Sequence, residues 1–412
     1  MENTKPLENN NVAAFLEKPV TISSLPPASP RRKNILIGVL LIFFLLSGYG
    51  LYTLSYPKGG PISPLGNKPG SDDVVVSGEN AMESEKGTVE NPINGLLYTE
   101  EQAKIWQDRR PLAVMVNNHP DARPQSGLSQ ADLVYEVNAE GGIPRLMPIF
   151  LSKNPEKVGS VRSVRAYFVD FAKEYNAWLA HWGGAQYDPN LPLVADPASD
   201  AYDRMRKIFV SSIDETKNGD GNGTFWREEK PGLAGEHSGY ASVPKLYEMG
   251  YALYPDQKKD FQPIKPWVFK DEAKSADRPQ ASSAAFNFWN FADYAVRWEY
   301  NQEQNTYKRF QGGVAHLDMA TGKQLEAKNV ILQIMRETAF NDQKHHLNYN
   351  PVGSGKAEIL LDGRVTEAVW RRAKIEERTR FYSTGTGDEI AFNRGQIWIE
   401  IVPEGSEIIL TP

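Results

Sequence analysis

Cationic side chains are concentrated where a loop leads into a predicted helix, in the segment VGSVRSVRAYF that begins at Val158. Arg162 and Arg165 are three residues apart and are expected on one side of the helix start, where guanidinium and free backbone N–H groups favour an anion. Ser160 and Ser163 add hydroxyl groups, and either could be the N-cap. The segment predicts a phosphate or carboxylate site. The alternative is structural, with both arginines held by carboxylates elsewhere: Asp132, Glu136 or Asp170.

Polar residues also follow two predicted strands. Asn117, Asn118 and His119 come after the first strand, and the loop AEGGIPR, with Glu140 and Arg145, follows the second. If these strands are parallel and adjacent, their loops converge with the arginine segment in one polar cleft. Turn formation is the alternative role for the two asparagines. The predicted ligand-binding residues are Asn117, Asn118, His119, Glu140, Arg145, Ser160, Arg162, Ser163 and Arg165.

Two carboxylates near the same loop, Glu136 and Glu140, leave enzymatic activity open. They could act as acid or base in a hydrolase or transferase of cell-envelope polymers, with the arginines as a substrate clamp. No G-x-S-x-G elbow or P-loop is present in the sequence. The favoured hypothesis is a binding module for an anionic envelope ligand or an envelope protein, and the alternative is the envelope-polymer enzyme.

Composition excludes several classes of site. The 412 residues include no cysteine, which excludes disulfides and thiolate metal sites. His119, His181 and His237 are dispersed without metal-ligand spacing, so we predict no metal and no cofactor. His345 and His346 lie in a polar loop and are predicted to be solvated. The net charge of −6, with acidic and basic residues intermixed, indicates no nucleic-acid partner.

The elements that must position these residues indicate two domains. Residues 96–254 combine four predicted strands with helices over 164–175 and 243–251, which predicts an α/β domain with Ser242 as an N-cap and Gly250 as a helix stop. The four strands are PLAVMVN (111–117), ADLVYEV (131–137), RLMPIFL (145–151) and AWLAHW (177–182). Residues 255–284 are predicted to be a connector. Residues 285–412 alternate strand patterns with turns such as Asp362-Gly363, which predicts a mostly antiparallel β domain.

The N-terminal region predicts a membrane anchor. Residues 34–56 carry no charge and are long enough to cross a bilayer as a helix. Arg31, Arg32 and Lys33 precede them, so the positive-inside rule places the disordered tail 1–33 in the cytoplasm. Residues 57–95 are predicted to be a flexible tether. We therefore expect a single-pass plasma-membrane protein whose C-terminal domains are extracytoplasmic; the alternative is a cleaved signal peptide.

Long strings in both domains resemble one bacterial family. The string RPLAVMVNNHPDARPQSGLSQADLVYEVNAEGGIPRLMPIF in the first domain, and GSGKAEILLDGRVTEAVWRR with GDEIAFNRGQIWIEIVP in the second, are similar to the YerB-like family. The resemblance covers roughly residues 100–412 and implies a two-domain extracytoplasmic protein of unestablished activity. This chain departs from the lipoprotein members because it has no cysteine to acylate.

Overall fold

The computed structural model describes residues 87–219, 221–229, 231–258, 265–289 and 291–411. The predicted tail, the predicted anchor over 34–56 and most of the predicted tether lie outside these residues. The described part of the chain contains five α-helices: α1 (Glu100–Ala103), α2 (Ala166–Lys173), α3 (Ala201–Ile208), α4 (Glu215–Asn218) and α5 (Val243–Leu253).

The strands divide into two groups along the chain. Those of the first half are β1 (Val89–Glu90), β2 (Leu97–Tyr98), β3 (Leu112–Val114), β4 (Val116–Asn117), β5 (Leu133–Val137), β6 (Arg145–Phe150), β7 (Val158–Gly159), β8 (Trp178–His181), β9 (Ser212–Asp214), β10 (Phe225–Arg227) and β11 (Gly239–Ala241). Those of the second half are β12 (Phe269–Lys270), β13 (Ser283–Asn287), β14 (Ala295–Asn301), β15 (Thr306–Gln311), β16 (Val314–Ala315), β17 (Glu326–Ala327), β18 (Asn329–Met335), β19 (Glu337–Ala339), β20 (Leu347–Tyr349), β21 (Gly353–Leu361), β22 (Arg364–Arg372), β23 (Arg380–Ser383), β24 (Phe392–Asn393), β25 (Ile397–Pro403) and β26 (Ile408–Thr411).

An eleven-stranded mixed sheet forms the centre, in the order β23-β22-β21-β18-β25-β5-β6-β3-β8-β9, with β4 paired to β6 beside β3. The pairs β18–β25, β25–β5, β3–β8 and β8–β9 are parallel. A second sheet, in the order β16-β15-β14-β13-β26 with β17 on β15, is antiparallel throughout. Both sheets therefore draw on the second half of the chain, and only the central one also uses the first half.

Alternating side chains of the central sheet feed two hydrophobic cores. On β25, Ile397 and Ile399 face the core that also contains residues of α2 and α3, whereas Trp398 faces the core shared with α5 and the six-stranded sheet. Period-two alternation places neighbouring residues on opposite faces of a strand. Because both faces are covered, β5 and β25 are buried along their whole length, as expected for central strands.

The predicted fold class, an α/β domain and a β-rich domain behind one transmembrane helix, was wrong. The parallel pair β5–β25 joins the two halves in one sheet, with Leu133 opposite Ile397. Within the described residues, no helix has the length and apolarity needed to cross a bilayer, and the longest, α5, has 11 residues. Periodicity within a segment predicts a strand but carries no information about which distant strand it will pair with.

Several local predictions were confirmed. Strands β5, β6 and β8 and helix α2 lie within the predicted segments, and the Ser242 hydroxyl caps α5 by accepting a hydrogen bond from the Lys245 N–H. The predicted stop at Gly250 was wrong, because α5 continues to Leu253. A Cβ at Gly250 would lie 2.4 Å from the Trp178 ring, so close packing, rather than helix termination, calls for glycine there.

Residues 87–95, which the sequence places in the tether, are bound to the folded unit. Strands β1 and β2 pair, and the buried amides of Asn91 and Asn94 donate to one Asp132 carboxylate oxygen at 3.0 and 2.7 Å. The other Asp132 oxygen accepts the backbone N–H groups of Leu151 and Ser152. The folded unit therefore begins before residue 96.

Candidate functional site

One edge of the central sheet brings three chain segments together around Arg145. Strand β6 begins at Arg145 and pairs with β4 on one side and β5 on the other, so Arg145 lies opposite both Asn117 and Val137. The first two predicted strands are thus separated by β6 rather than adjacent. Because β6 is antiparallel to both, their carboxyl ends still meet at the same edge as its first residue.

A short loop after β5 carries Glu140 to this edge. Gly141 and Gly142 follow with φ angles of +71° and +72°, in the left-handed region that glycine adopts without a Cβ penalty. A Cβ at Gly142 would lie 2.7 Å from Phe291 and 2.9 Å from Trp289, whereas a Cβ at Gly141 would meet nothing within 4 Å. The close aromatic contact fixes the loop and therefore the direction of Glu140.

The arginine segment reaches the edge in an extended conformation that ends where α2 begins, so Arg165 lies at the predicted helix start and Arg162 does not. The Arg162 N–H donates to the Met115 carbonyl at 2.9 Å, and Val161 pairs with Val116 as an isolated bridge. Arg165 is the N-cap residue of α2 and its side chain makes no capping bond. Both arginines reach one site because of this strand-like docking and not because of helical spacing.

These segments enclose a polar cavity of about 320 Å³, near the lower end of the range for small-molecule sites. The residues that line the cavity, hereafter the cationic cleft, are Asn117, His119, Glu140, Ile143, Arg145, Arg162, Arg165, Glu236, His237, Lys344 and His346. Six of the nine predicted ligand-binding residues are in this set: Asn117, His119, Glu140, Arg145, Arg162 and Arg165. Their role in ligand binding stays a prediction.

Glu140 is the most shielded carboxylate lining the cationic cleft, with 15% of its side chain exposed, and is held by two arginines. Arg165 Nε donates to Glu140 Oε1, and Arg145 Nη2 donates to Glu140 Oε2 at 3.4 Å. Burial opposes ionisation of Glu140, but the charges of Arg145 and Arg165 outweigh it and lower the pKa from 4.5 to about 2. Burial and the neighbouring Arg165 lower the pKa of Arg145 to about 9. Glu140 and Arg145 are therefore both ionised at neutral pH.

Arg162 and Lys344 supply the remaining positive charge. Arg162 Nη2 contacts Glu236 Oε1 at 3.3 Å, and the Glu236 side chain is 54% exposed, so this ion pair is weak compared with a buried one. Four cationic side chains and two carboxylates line the cleft, which leaves a formal charge of +2 when the histidines are neutral. This balance favours an anion.

Three histidines face the cleft from different elements. The rings of His119 and His237 stack with centroids 4.5 Å apart. His346, predicted to be solvated, is buried, and its Nδ1 lies 3.0 Å from an Asp342 carboxylate oxygen. His345 is exposed, as predicted. Burial, followed by the neighbouring His119, lowers the pKa of His237, which keeps that ring neutral in the free protein.

Four predicted site residues lie behind the cleft wall rather than on it. The Asn118 amide donates to Glu136 at 2.6 Å, and Glu136 forms a fully buried ion pair with Arg309. The Ser160 carbonyl accepts the Asn117 N–H at 2.8 Å. The Ser163 carbonyl accepts Arg145 Nη1 at 2.6 Å. Ser160 and Ser163 therefore hold lining residues in place, whereas Asn118 and Glu136 bond each other behind the wall, and Glu136 is too enclosed to reach a ligand in the cleft.

Sequence reasoning missed the wall formed by Ile143, Glu236, His237, Lys344 and His346 as part of the site. His237 lies more than 100 residues from His119 in the chain, and Lys344 and His346 belong to the second predicted domain. No local spacing connects such segments. The one usable signal was composition, because GEHSGY and KHH each place a histidine beside a charged residue.

Comparison with known proteins identifies the chain's relatives. Residues 95–253 match the N-terminal domain of a protein family of unknown function, DUF3048, and residues 285–399 match its C-terminal domain. "Putative lipoprotein YerB" of Bacillus subtilis (strain 168) is 32% identical over 321 residues, which are 76% of this chain and 86% of that protein. The crystal structure of the YerB protein from Bacillus subtilis is similar with a TM-score of 0.60 at 28% identity, and the match covers 78% of this chain and all of that one.

Proposed function

Since the chain belongs to the DUF3048 family that includes YerB, we propose that it is a membrane-associated, extracytoplasmic module that binds an anionic ligand of the cell envelope in the cationic cleft. The name of the Bacillus subtilis relative, a lipoprotein, supports the location. The ligand class is supported by the cleft itself.

The observation that carries the proposal is the convergence of Arg145, Arg162 and Arg165 on one cavity, with the Glu140 carboxylate held between Arg145 and Arg165. Burying several guanidinium groups together is unfavourable unless counter-charges offset it. Glu140 offsets part of this charge, and among the residues that the structure describes Arg162 is paired with the exposed Glu236 alone. A bound anion would neutralise the rest and would accept forked hydrogen bonds from guanidinium groups.

The position of the cleft also supports ligand binding. It lies at the carboxyl ends of β4 and β5, a common place for ligands in sheets covered on both faces. Arg165 is the N-cap residue of α2, so the positive end of that helix dipole lies beside the cavity. The arginine side chains that line the cavity, the helix dipole and the net positive charge of the lining all favour a negative group in the same place.

The enzymatic alternative draws no support from the two candidate carboxylates. With its pKa lowered to about 2, Glu140 has no proton to donate at neutral pH. Glu136 is enclosed by Arg309, Asn118 and Gln311. Binding therefore accounts for more of the site than catalysis by Glu136 or Glu140 does.

The test is calorimetric titration of the full chain with anions, comparing Arg162→Ala with the wild type. Removing one charge-assisted contact should weaken binding by about 1.5 to 3 kcal/mol, which is roughly 10-fold to 100-fold. Binding should also weaken with added salt. Arg206→Ala is the matched control, because Arg206 is 70% exposed and its ion pair, with Asp203, lies within α3. Equal affinity in both variants, or no binding of any anion by folded protein, would refute the proposal and favour a protein partner.

A further inference from the structure

Two stacked histidines form one wall of the cationic cleft. His119 follows β4 and is the N-cap of a 3-10 turn over Pro120–Ala122, and His237 ends a second such turn over Gly235–His237. Their ring planes are 20° apart. The two rings come from distant segments, yet both line the cavity that holds the arginines.

Hydrogen bonds fix which nitrogen of each neutral ring carries the proton. His119 Nδ1 accepts the backbone N–H of Asp121 at 3.2 Å. Asn117 Oδ1 accepts the backbone N–H of His119 at 3.0 Å, so the Asn117 NH2 group is the one that faces His237 Nδ1, at 2.9 Å. A nitrogen that accepts a hydrogen bond carries no proton, so the proton of each neutral ring is on Nε2. Both rings are therefore hydrogen-bond donors at Nε2.

The surroundings of the pair favour neutral rings that donate hydrogen bonds. Burial and then the neighbouring His119 lower the pKa of His237, while Glu236, 3.7 Å from His237 Nε2, opposes this shift. Both Nδ1 atoms already accept N–H donors, so the hydrogen-bonding capacity left to a ligand is the Nε2–H of each ring.

We propose that the ligand of the cleft is a phosphate monoester, bound as its dianion, and that both histidines donate to its oxygens through Nε2–H. This inference rests on the function proposed above and narrows it. A dianion matches the formal charge of +2 in the cleft. The three terminal oxygens of a monoester accept from the arginines and from both Nε2–H groups, whereas a diester offers two such oxygens and one charge.

A divalent cation is the competing occupant of this wall. His119, Asp121 and His237 each offer a ligand atom, all within 4.8 Å of one another. However, both Nδ1 atoms already accept N–H donors and both Nε2 atoms carry protons, so neither ring presents a free lone pair. Metal ligation would require Asn117 to reverse its amide, and the bond from the His119 N–H opposes that.

The test is calorimetry of the full chain with glucose 1-phosphate and with dimethyl phosphate, a diester, at about pH 7.5. At this pH the monoester is almost wholly dianionic, because its second pKa is about 6. We expect the wild type to bind the monoester more tightly than the diester, and a His119→Asn, His237→Asn double variant to bind the monoester roughly 10-fold more weakly, since it lacks both Nε2–H donors. His345→Asn, an exposed neighbour outside the cleft, is the matched control.

Each outcome separates this inference from the proposed function. If Arg162→Ala weakens binding but the double variant binds the monoester as tightly as the wild type does, or if a diester or dicarboxylate binds as tightly as the monoester, this inference is wrong and the anion cleft stands. If the wild type binds none of these anions, both proposals are wrong. One zinc per chain, lost in His119→Asn, would overturn the donor assignment. Vesicles with and without phosphatidic acid, compared with glucose 1-phosphate, show whether a lipid headgroup or a soluble ester is preferred.

Discussion

Replacing Glu140 by glutamine removes the charge that holds Arg145 and Arg165 in the cationic cleft while preserving the size of the side chain. The carboxylate is 15% exposed, and the two arginines are 9% and 14% exposed. One pKa unit corresponds to 1.36 kcal/mol, so lowering the pKa of Glu140 from 4.5 to about 2 corresponds to roughly 3 kcal/mol. Solvent screening reduces this free energy only modestly, because all three side chains are largely shielded from water.

We therefore expect Glu140→Gln to lower the free energy of unfolding by about 2 to 3 kcal/mol near neutral pH, measured by urea denaturation of the full chain without added anions. The folded-state pKa of this carboxylate is below its unfolded value. Its contribution is accordingly complete above about pH 4.5 and disappears as the pH falls towards 2. The difference between the wild type and the variant should shrink over that window.

Stabilisation by phosphate gives a second readout, because Glu140→Gln removes the negative charge between the two arginines. Inorganic phosphate should raise the unfolding free energy of Glu140→Gln more than that of the wild type, because it can take the place of the carboxylate between two arginines. Glu303→Gln, an exposed substitution in a turn, is the control. A loss below about 0.5 kcal/mol at neutral pH, the range of ordinary surface substitutions, would refute the reasoning, as would a difference that does not change with pH.

Three further predictions concern the surroundings of the cleft and the sheet. Gly142→Ala should weaken anion binding and lower the unfolding free energy by about 1 to 3 kcal/mol, because the new Cβ meets aromatic rings. Gly141→Ala, whose Cβ would meet nothing within 4 Å, should leave anion affinity unchanged in the same titration. Burial raises the pKa of Glu400 well above its ordinary value, and Arg309 opposes this shift while Glu136 adds to it. In urea denaturation, Glu400→Gln should therefore lower the unfolding free energy by under about 1 kcal/mol, and Arg309→Met should lower it by about 3 to 5 kcal/mol. Asn94→Ala should cost about 1 to 3 kcal/mol in the same assay, because Asp132 loses a buried donor; no loss would mean that residues 87–95 are not bound to the folded unit.

Local features of the fold were predictable because they depend on neighbouring residues. The run from Leu133 to Val137 predicts a strand, and Ser242 predicts a cap, from patterns only a few residues long. The association of β5 with β25 was not predictable in this way. Its parallel register is set by burial of both faces, in which Trp398 and Ile399 pack on opposite sides, and a single sequence does not show which distant strand completes such a core.

About half of the residues that line the candidate site could be predicted, because their positions follow from local sequence patterns. Strand ends and the paired arginines indicated Asn117, Glu140, Arg145, Arg162 and Arg165, and all of these line the cleft. The expectation that the arginines share a helix face was wrong, since Arg162 is docked along β4.

The opposite wall of the cleft comes from segments that lie far from the arginines in the sequence. Glu236 and His237 lie in a turn, and Lys344 and His346 lie between β19 and β20. Only the tertiary fold brings these residues to the arginines, and no spacing rule relates them.

The most direct test of the cationic cleft is to locate an anion in it. Crystals of the protein soaked in tungstate, a tetrahedral dianion, should show one strong anomalous peak within hydrogen-bond distance of Arg162, Arg165 and the stacked histidines, and the peak should be absent in Arg162→Ala crystals. An empty cleft beside occupied surface lysines, or an unchanged peak in the variant, would contradict the account.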